Sequence, residues 1–421
     1  SPITGASNFV DASGTLTSKY KVAAVVNGLE QPAGAEVSVL PNPWIEIELK
    51  PIPKISGVDD KYYKYTSNDI VTGDLDGDGE YDFIVKRYNN QHDSADPYGN
   101  KYYTLFDAYK SDGTFMWRID VGPNLISHEE INALVYDFDG DGKAEVVMRT
   151  SEGTVDGIGN VIPDLGNAMG QPYPDGKTNY RDGLQMNNSW FEYTGPEYLS
   201  LFDGETGVML DRIDHIARQP VAQWGGSGMN AAQLAHRATK YHYGAPYLDG
   251  VKPSVLITRG IYDRIKMEAY DVAGKKFVKR WAKGFDSSDY PGYAGQGNHN
   301  YSIADVDNDG RDEIIYASMT VDDDGKGLYT TGLGHGDALH VSDLDPFRKG
   351  LEVFACHENS PYWGTTFRAA ESGAILHNYI HGSDCGRCMA ANVSNKYKGA
   401  ELNPTTQGNS VGGSVNFRIY W

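Results

Sequence analysis

Acidic residues at alternate positions, closed by glycine, form the pattern with the most evident chemistry in this sequence. The run from Asp305 to Glu313 reads DVDNDGRDE, and similar runs begin at Asp74 and Asp137. Alternating carboxylates place oxygen ligands on one side of a tight turn, and the glycine lets the backbone curl. Hard divalent cations, calcium above all, favour such oxygen sites. The spacing therefore predicts three calcium-binding loops.

Each loop has nine positions, with candidate carboxylate ligands at positions 1, 3, 5 and 9. The residue at position 7 can contribute its backbone carbonyl. The predicted metal ligands are Asp74, Asp76, Asp78, Glu80, Asp82, Asp137, Asp139, Asp141, Lys143, Glu145, Asp305, Asp307, Asp309, Arg311 and Glu313, with Asp343, Asp345 and Glu352 in a degenerate fourth copy. None of the full copies ends in the glutamate of a helix–loop–helix calcium site, so we expect the loops to join β-strands. For a single loop the alternative is a solvated turn, and repetition argues against it.

Polar turns rich in glycine and asparagine carry three histidines. They read Asn298-His299-Asn300, Gly334-His335-Gly336-Asp337 and His357-Glu358-Asn359, each beside an apolar segment. A lone histidine is more often a structural residue with satisfied hydrogen bonds. Three such turns in successive units make a shared site equally plausible, and Arg387 precedes an apolar strand in the same way. Asn89 belongs to a further polar run, for which a solvated rim is the slightly favoured alternative.

Composition excludes several classes of function. The chain has 421 residues and a formal net charge of −20, so nucleic acid is not an expected partner. It contains no run of about 18 apolar residues, so no membrane insertion is expected. The first residues, SPITGASNFV, lack the pattern of an export signal, which has been removed or never existed. Calcium is abundant outside cells, and the loops therefore indicate a secreted protein, extracellular or periplasmic.

The sequence contains three cysteines, Cys356, Cys385 and Cys388. The last two form a Cys-x-x-Cys pair, but no βαβ pattern surrounds it and no second pair completes a zinc site. Redox or zinc chemistry is therefore the less favoured interpretation. One disulfide with one free thiol, and three free thiols, remain equally compatible with the sequence.

Repetition also predicts the fold. Glycine (49) and tyrosine (29) are abundant and helix-forming patterns are sparse, which indicates short strands joined by turns. Each calcium loop lies between two strands and a glycine-turn hairpin follows, so one repeat makes four strands, as in a β-propeller blade. We expect an all-β chain in which residues 54–421 form five or six blades of a calcium-binding β-propeller, incomplete at the C-terminus. Residues 1–53, with a hairpin turn at Asn27-Gly28, are expected to be the C-terminal part of a fibronectin-like β-sandwich.

The segments GQGNHN, ADVDNDGRDEIIY and GKGLYTTGLGHGDALH resemble the calcium-dependent rhamnogalacturonan lyases of polysaccharide lyase family eleven. YDFDGDGKAEVVMRTSEGT and GPEYLSLFDGETG resemble the same family, and the likeness spans nearly the whole chain. It implies an eight-bladed propeller, several calcium ions, and β-elimination in the rhamnose–galacturonic acid backbone of rhamnogalacturonan I, a pectin. The family's sandwich begins earlier and its propeller continues past Trp421. A monomer, completed by such a C-terminal segment, is therefore expected.

The resemblance also suggests roles for the polar turns. β-Elimination builds negative charge beside the uronate carboxylate, which a cation or an arginine must neutralise. We expect His299, His335 and Asp337 to hold a calcium ion that binds the galacturonate, and the predicted catalytic residues are His299, His335 and Arg387. The predicted substrate contacts are Asn298, Asn300, His357, Glu358 and Asn89.

Three questions stay open in the sequence. A guanidinium is hard to deprotonate, so the base is not assigned to Arg387; it is a histidine here or a lysine beyond Trp421. Cleavage within the polysaccharide and cleavage from its ends are equally compatible with the motifs. The alternative functions are a calcium-dependent carbohydrate-binding or adhesion propeller without catalysis, and a purely structural propeller.

Overall fold

The computed structural model describes residues 10–42, 44–53, 65–89, 103–122, 124–125, 130–162, 183–186, 189–192, 195–225, 228–286, 290–359, 361–362, 364–380, 382, 384–394 and 398–405. Regular structure in these residues is almost entirely β-strand, which confirms the all-β expectation. The chain divides into two compact units, Ser1–Lys50 and Pro51–Trp421. No helix in the described ranges is both long and apolar enough to cross a membrane.

The described part of the first unit contains four short strands, β1 (Lys19–Tyr20), β2 (Val25–Val26), β3 (Leu29–Glu30) and β4 (Val37–Ser38). β1 pairs with β4 and β2 with β3, both antiparallel. Asn27 and Gly28 join β2 to β3 with φ angles of 51° and 78°. This left-handed conformation is what a two-residue hairpin turn requires, and it explains the Asn-Gly pair.

The second unit repeats one pattern, a sheet of four antiparallel strands that follow one another along the chain. The first sheet contains β5 (Tyr65–Gly73), β6 (Asp82–Asn89), β7 (Leu105–Tyr109) and β8 (Phe115–Asp120). The second contains β9 (Ala133–Tyr136), β10 (Glu145–Thr150), β13 (Tyr198–Phe202) and β14 (Met209–Asp214), with a separate hairpin of β11 (Gly183–Met186) and β12 (Ser189–Glu192) inserted in its middle.

Two short helices precede the third sheet, a 3-10 helix (Val221–Trp224) and α1 (Ala231–Ala238). This sheet contains β15 (Tyr241–Gly244), β16 (Val255–Arg259), β17 (Lys266–Ala273) and β18 (Lys276–Gly284). The fourth contains β19 (Ser302–Ala304), β20 (Glu313–Tyr316), β21 (Met319–Val321) and β22 (Gly327–Thr330).

The fifth sheet contains β23 (Leu339–Ser342), β24 (Glu352–His357), β25 (Gly364–Ala369) and β26 (Ile375–Ile380). A final pair of antiparallel strands follows, β27 (Arg387–Ala391) and β28 (Glu401–Thr405). Among the described strands, none of the sheets closes on itself.

Apolar side chains pack between successive sheets. Five core clusters join the first sheet to the second, the second to the third, and so on to the final strand pair; their central side chains include Phe106, Leu201, Tyr316, Val353 and Phe367. The inner strands β10, β16, β24 and β25 are buried along their whole length. Removal of this apolar surface from water is the main stabilisation of the stack.

Strand direction decides what each end of the sheets carries. Because neighbouring strands are antiparallel, the start of a first strand and the end of a second strand lie at the same end of a sheet. His299, His335 and Arg387 lie at or just before the starts of first strands, and Glu358 follows the second strand β24. The acidic loops join first strands to second strands, so they lie at the opposite end.

Candidate active site and acidic loops

The structure brings His299, His335 and Asp337 together, with one ligand atom of each within 4.8 Å of the others. Asp337 Oδ1 is 3.4 Å from His299 Nε2 and 3.9 Å from His335 Nε2. Glu358 Oε1 is also 3.9 Å from His335 Nε2. A parallel bridge between Asn298 and Gly336 joins the two turns that carry the histidines. We refer to His299, His335, Asp337 and Glu358 as the histidine cluster.

Glycines let the second of these turns pack against its neighbours. A Cβ on Gly336 would overlap the carbonyl oxygen of Cys356 on β24, and a Cβ on Gly334 would overlap the side chain of Asn359. Gly334 also has a φ of 85°, which other residues adopt only with strain. The Gly-His-Gly-Asp sequence therefore holds His335 and Asp337 closer to β24 than a larger residue would permit.

Hydrogen bonding fixes which nitrogen of His335 faces the cluster. Its Nδ1 lies 2.8 Å from the carbonyl of Gly297 and 3.1 Å from that of Ile261, so Nδ1 carries the proton and donates it. Nε2 therefore presents a lone pair. It has no hydrogen-bond partner among the described residues, and His335 is only 4% exposed, so the lone pair is buried. Burial lowers the pKa of His335, and burial with the neighbouring His335 lowers the pKa of His299 to about 3. Both rings are therefore neutral and able to act as ligands.

The two carboxylates of the cluster repel each other. Burial, followed by a hydrogen bond to Asp337, raises the pKa of Glu358 to about 8. A protonated Glu358 would relieve this repulsion, and a bound divalent cation would relieve it while allowing both carboxyl groups to ionise. The lone pair of His335 and this carboxyl pair together fit a divalent cation. Histidine is an unusual ligand for calcium, so the carboxylates are the stronger part of the fit.

Arg387 is the basic group beside the cluster. It begins β27, its Nη1 donates to Asp337 Oδ2 over 2.7 Å, and its side chain is 68% exposed. Asp337 therefore contacts both the histidines and the guanidinium. This places a positive charge at the solvent-facing edge of the cluster.

The remaining predicted substrate contacts lie at different depths. Asn298 is buried, and its Oδ1 accepts the backbone N–H of His299 over 2.7 Å. Asn300 donates to the carbonyl of Leu339 over 3.4 Å. His357 lies in the interior, where Nε2 is 2.8 Å from Thr366 Oγ1, so it supports β24 rather than facing a polysaccharide. Asn89 ends β6, and its side chain lies outside the described part of the structure.

Tyr262, just after β16, is a site residue that the sequence pattern does not reveal. Its ring centroid is 4.4 Å from that of His335, and its hydroxyl is 3.5 Å from His299 Nε2. The guanidinium of Arg237 on α1 lies over the same ring, 3.7 Å from its centroid. The only signal for it is position, because it follows a second strand at the same end of a sheet as Glu358.

The three full acidic loops each gather three carboxylates. The groups are Asp74, Asp76 and Asp78; Asp137, Asp139 and Glu145; and Asp305, Asp307 and Glu313. Burial, reinforced by neighbouring carboxylates, raises the pKa of Glu145 to about 7 and that of Glu313 to about 8. Asp305 Oδ1 and Glu313 Oε1 are buried without a hydrogen-bond partner in the described chain. Buried, mutually repelling carboxylates of this kind fit a cation.

The other predicted loop ligands make contacts within the protein. Glu80 accepts a hydrogen bond from the hydroxyl of Ser111, and Asp82 accepts one from the backbone N–H of Leu75. Asp141 accepts the backbone N–H of Lys143, and Asp309 accepts that of Arg311. The side chains of Lys143 and Arg311 point away to Glu205 and Asp323, at 2.5 and 2.8 Å, which leaves their carbonyls. In the first loop, Lys110 pairs with Asp76.

The degenerate fourth loop, which contains Asp343, Asp345 and Glu352, is arranged differently. Arg348 Nη1 lies 2.9 Å from Glu352 Oε1, and Arg348 Nη2 is 3.6 Å from Glu371 Oε1. Glu352 Oε2 accepts two backbone N–H groups of the loop. Among the described residues, the oxygens of these three carboxylates do not come close enough together to hold a metal ion as a group. A guanidinium lies against the buried carboxylate that the sequence assigns to a metal.

Comparison with known proteins places these features in a family. Residues 44–421 match the model described as "Rhamnogalacturonan lyase family 11, C-terminal domain", and residues 1–40 match "Rhamnogalacturonan I lyases beta-sheet domain". The chain is 43% identical over 428 residues to "Rhamnogalacturonan endolyase YesW" of Bacillus subtilis (strain 168), covering 98% of this chain and 65% of that protein. It is 41% identical over 445 residues to "Rhamnogalacturonan exolyase YesX" of the same organism, covering 100% and 68%.

Solved structures agree with the sequence comparison. The crystal structure of YesW aligns with a TM-score of 0.78 and 42% identity over 94% of this chain and 65% of that one. "Bacillus licheniformis Rhamnogalacturonan Lyase PL11" aligns with a TM-score of 0.79 and 43% identity over 96% and 66%. The chain thus spans about two thirds of the length of the proteins it matches, from 65% to 68% for the curated relatives. The resemblance read from the motifs is confirmed, and the chain belongs to rhamnogalacturonan lyase family 11.

Proposed function

We propose that the protein is a polysaccharide lyase that cleaves the rhamnose–galacturonic acid backbone of rhamnogalacturonan I by β-elimination. The family gives the reaction class. Within this chain, the proposal rests on the histidine cluster beside Arg387, where neutral imidazoles, two carboxylates and one exposed guanidinium meet. The substrate carries a carboxylate on every galacturonate, so a positively charged site is what it needs.

A calcium ion held by His299, His335, Asp337 and Glu358 is part of this proposal. When bound, such an ion neutralises the uronate carboxylate and so stabilises the negative charge that develops beside it. We assign further calcium ions, with a structural role, to the loops at Asp74, Asp137 and Asp305. The fourth loop needs none, because Arg348 already supplies a positive charge to Glu352.

The side chains of the cluster have separate tasks. A base removes the proton from C5 of the galacturonate, the electron pair forms the C4–C5 double bond, and the bond between C4 and its oxygen breaks. That oxygen keeps the bonding electron pair, takes up a proton and leaves as the hydroxyl of the preceding rhamnose. Arg387 pairs with the carboxylate next to C5 and opposes the developing charge. Asp337 orients Arg387 through the 2.7 Å hydrogen bond. Neither histidine is assigned as the base, because a pKa held below its usual range makes each a weak proton acceptor.

The architecture and location follow the same family. We assign the five four-stranded sheets and the strand pair β27–β28 to blades of a β-propeller, eight-bladed in the complete family fold, and residues 1–53 to a β-sandwich domain. The core clusters between successive sheets support this assignment. Secretion is proposed with it, since the loops match the calcium levels outside cells. A monomeric state is also part of the proposal.

The test is an assay for unsaturated galacturonate, which absorbs in the ultraviolet because its double bond is conjugated to the carboxylate. With rhamnogalacturonan I and calcium, the wild-type protein should give a steady rise that a chelator abolishes. Arg387→Ala should reduce turnover by about 100-fold or more, whereas Arg280→Ala, at a partly exposed ion pair on β18, should not. A wild-type protein that binds the polysaccharide tightly but gives no absorbance would instead be a carbohydrate-binding propeller.

A further inference from the structure

All three cysteines of the chain meet at one place, where one of them on the fifth sheet faces the Cys-x-x-Cys segment at the final strand pair. Cys356 lies on β24, Cys388 lies on β27, and Cys385 lies two residues before β27. All three are buried in the same apolar cluster between the fifth sheet and the final strand pair. The only cysteine outside the Cys-x-x-Cys segment is thus brought against that segment by the fold, over about thirty residues of chain.

The contacts arrange the three thiols with Cys356 in the middle. The Cys356 thiol interacts with the thiols of both Cys385 and Cys388. Cys356 Sγ and Cys388 Sγ each donate to the carbonyl oxygen of Ala338 over 3.5 Å. Among the described residues, the three sulfurs do not gather tightly enough to form a metal-binding group. This is an arrangement for pairing two thiols rather than for holding a soft metal with three.

We propose that Cys356 forms a disulfide with Cys385 or Cys388 and that the third cysteine remains a thiol. The Sγ atoms of Cys356 and Cys388 approach the same carbonyl oxygen from two strands, and all three cysteines share one apolar cluster, so their side chains are placed for a disulfide. The oxidant is a small-molecule disulfide, as found in oxidising compartments. Cys356 first displaces one of its thiols to give a mixed disulfide, and the second cysteine then displaces the other. Two electrons pass from the protein to the reagent, which leaves as two thiols.

The proposed disulfide lies next to backbone segments that carry residues of the candidate active site. Ala338, which accepts from both thiols, follows Asp337, and Arg387 lies between Cys385 and Cys388. A covalent link from β24 to this segment would hold the backbone of Arg387 against the turn that carries Asp337. The number of free thiols does not depend on lyase activity, so the disulfide proposal and the proposed function can each fail without the other.

Tryptic mapping distinguishes the three possible pairings, because Arg387 separates Cys385 from Cys388. The full chain is folded in a glutathione redox buffer, blocked with iodoacetamide without reduction, and digested. One alkylated cysteine is expected before reduction and three after it. Peptide 350–368 should be linked to peptide 369–387 or to peptide 388–396. Alkylation of all three cysteines without reduction, or a link between the last two peptides alone, would overturn the proposal.

Single variants provide matched controls. Cys356→Ser should leave two alkylatable thiols and no disulfide, whereas Cys385→Ser or Cys388→Ser should keep a disulfide that contains Cys356. Reduction of the wild-type protein should lower Tm by about 5 °C, and reduction of Cys356→Ser should leave Tm unchanged. A disulfide that persists in Cys356→Ser would contradict the central position assigned to that residue.

Discussion

The fourth acidic loop allows a stringent test of how this fold neutralises its buried carboxylates. Glu352 is 0% exposed, and it accepts hydrogen bonds from two backbone N–H groups at 3.0 and 2.9 Å and from Arg348 at 2.9 Å. Arg348→Ala removes the charged partner and leaves the two backbone donors. Loss of a hydrogen bond to a charged group costs about 1.5–3 kcal/mol, and the partial exposure of Arg348 places the expected loss near the lower end.

Thermal unfolding with calcium and with a chelator measures this loss. Arg348→Ala should lower Tm by about 3 °C when cations are chelated. In excess calcium the deficit should narrow, because the vacated loop then presents Asp343, Asp345 and Glu352 as the three full loops do. The control is Arg280→Ala, whose ion pairs to Asp249 and Asp271 are partly exposed and should contribute below about 1 kcal/mol.

A double-mutant cycle with Glu352→Gln isolates the pair. The two single variants should each be destabilised, and the double variant should lose clearly less than their sum. An Arg348→Ala protein as stable as Arg280→Ala, or strictly additive losses in the cycle, would refute the idea that a guanidinium neutralises this loop.

Three further predictions concern residues at other depths of the fold. Burial alone would raise the pKa of Glu197, but Arg218, Arg259 and Arg149 hold it well below its usual range. Glu197→Gln should therefore destabilise by about 3–5 kcal/mol in chemical denaturation. The stability that ionised Glu197 contributes is fully present above its unfolded pKa of about 4.3, and it is lost as pH falls through the lower pKa of the folded state. The wild type and the variant should therefore become equally stable in acid. Tyr262→Phe should retain calcium affinity and turnover because the ring still stacks on His335, whereas Tyr262→Ala should weaken both in titration and assay. Gly336→Ala should yield little folded protein by circular dichroism, and normal folding would contradict the overlap with the Cys356 carbonyl.

Local spacing carried much of the information about this protein. The acidic loops could be predicted because their carboxylates lie within one turn, and the all-β fold could be predicted because the loop and hairpin units recur. The gathering of His299 and His335 followed from their equivalent places in successive repeats. No local rule could reveal Glu197, whose three arginine partners come from different parts of the chain.

The fourth loop shows a different limit. Its acidic pattern resembles the other copies closely enough to suggest a cation site, and only the structure reveals that Arg348 reaches Glu352. His357 likewise looked equivalent to the other histidines, but it is the last residue of β24 and its side chain turns inward to Thr366. Sequence repetition locates a turn, and the direction of each side chain decides what the turn can bind.

The histidine cluster is proposed to hold a catalytic cation and the acidic loops structural ones, and turnover on rhamnogalacturonan I in excess calcium distinguishes these roles with two matched variants. Asp337→Asn, in the histidine cluster, should abolish formation of unsaturated galacturonate while leaving Tm close to that of the wild type. Asp305→Asn, in an acidic loop at the opposite end of the sheets, should lower Tm while the folded protein keeps its turnover. Full activity in Asp337→Asn, or equal loss of activity in both variants at a temperature where both are folded, would rule out separate roles for the cluster and the loops.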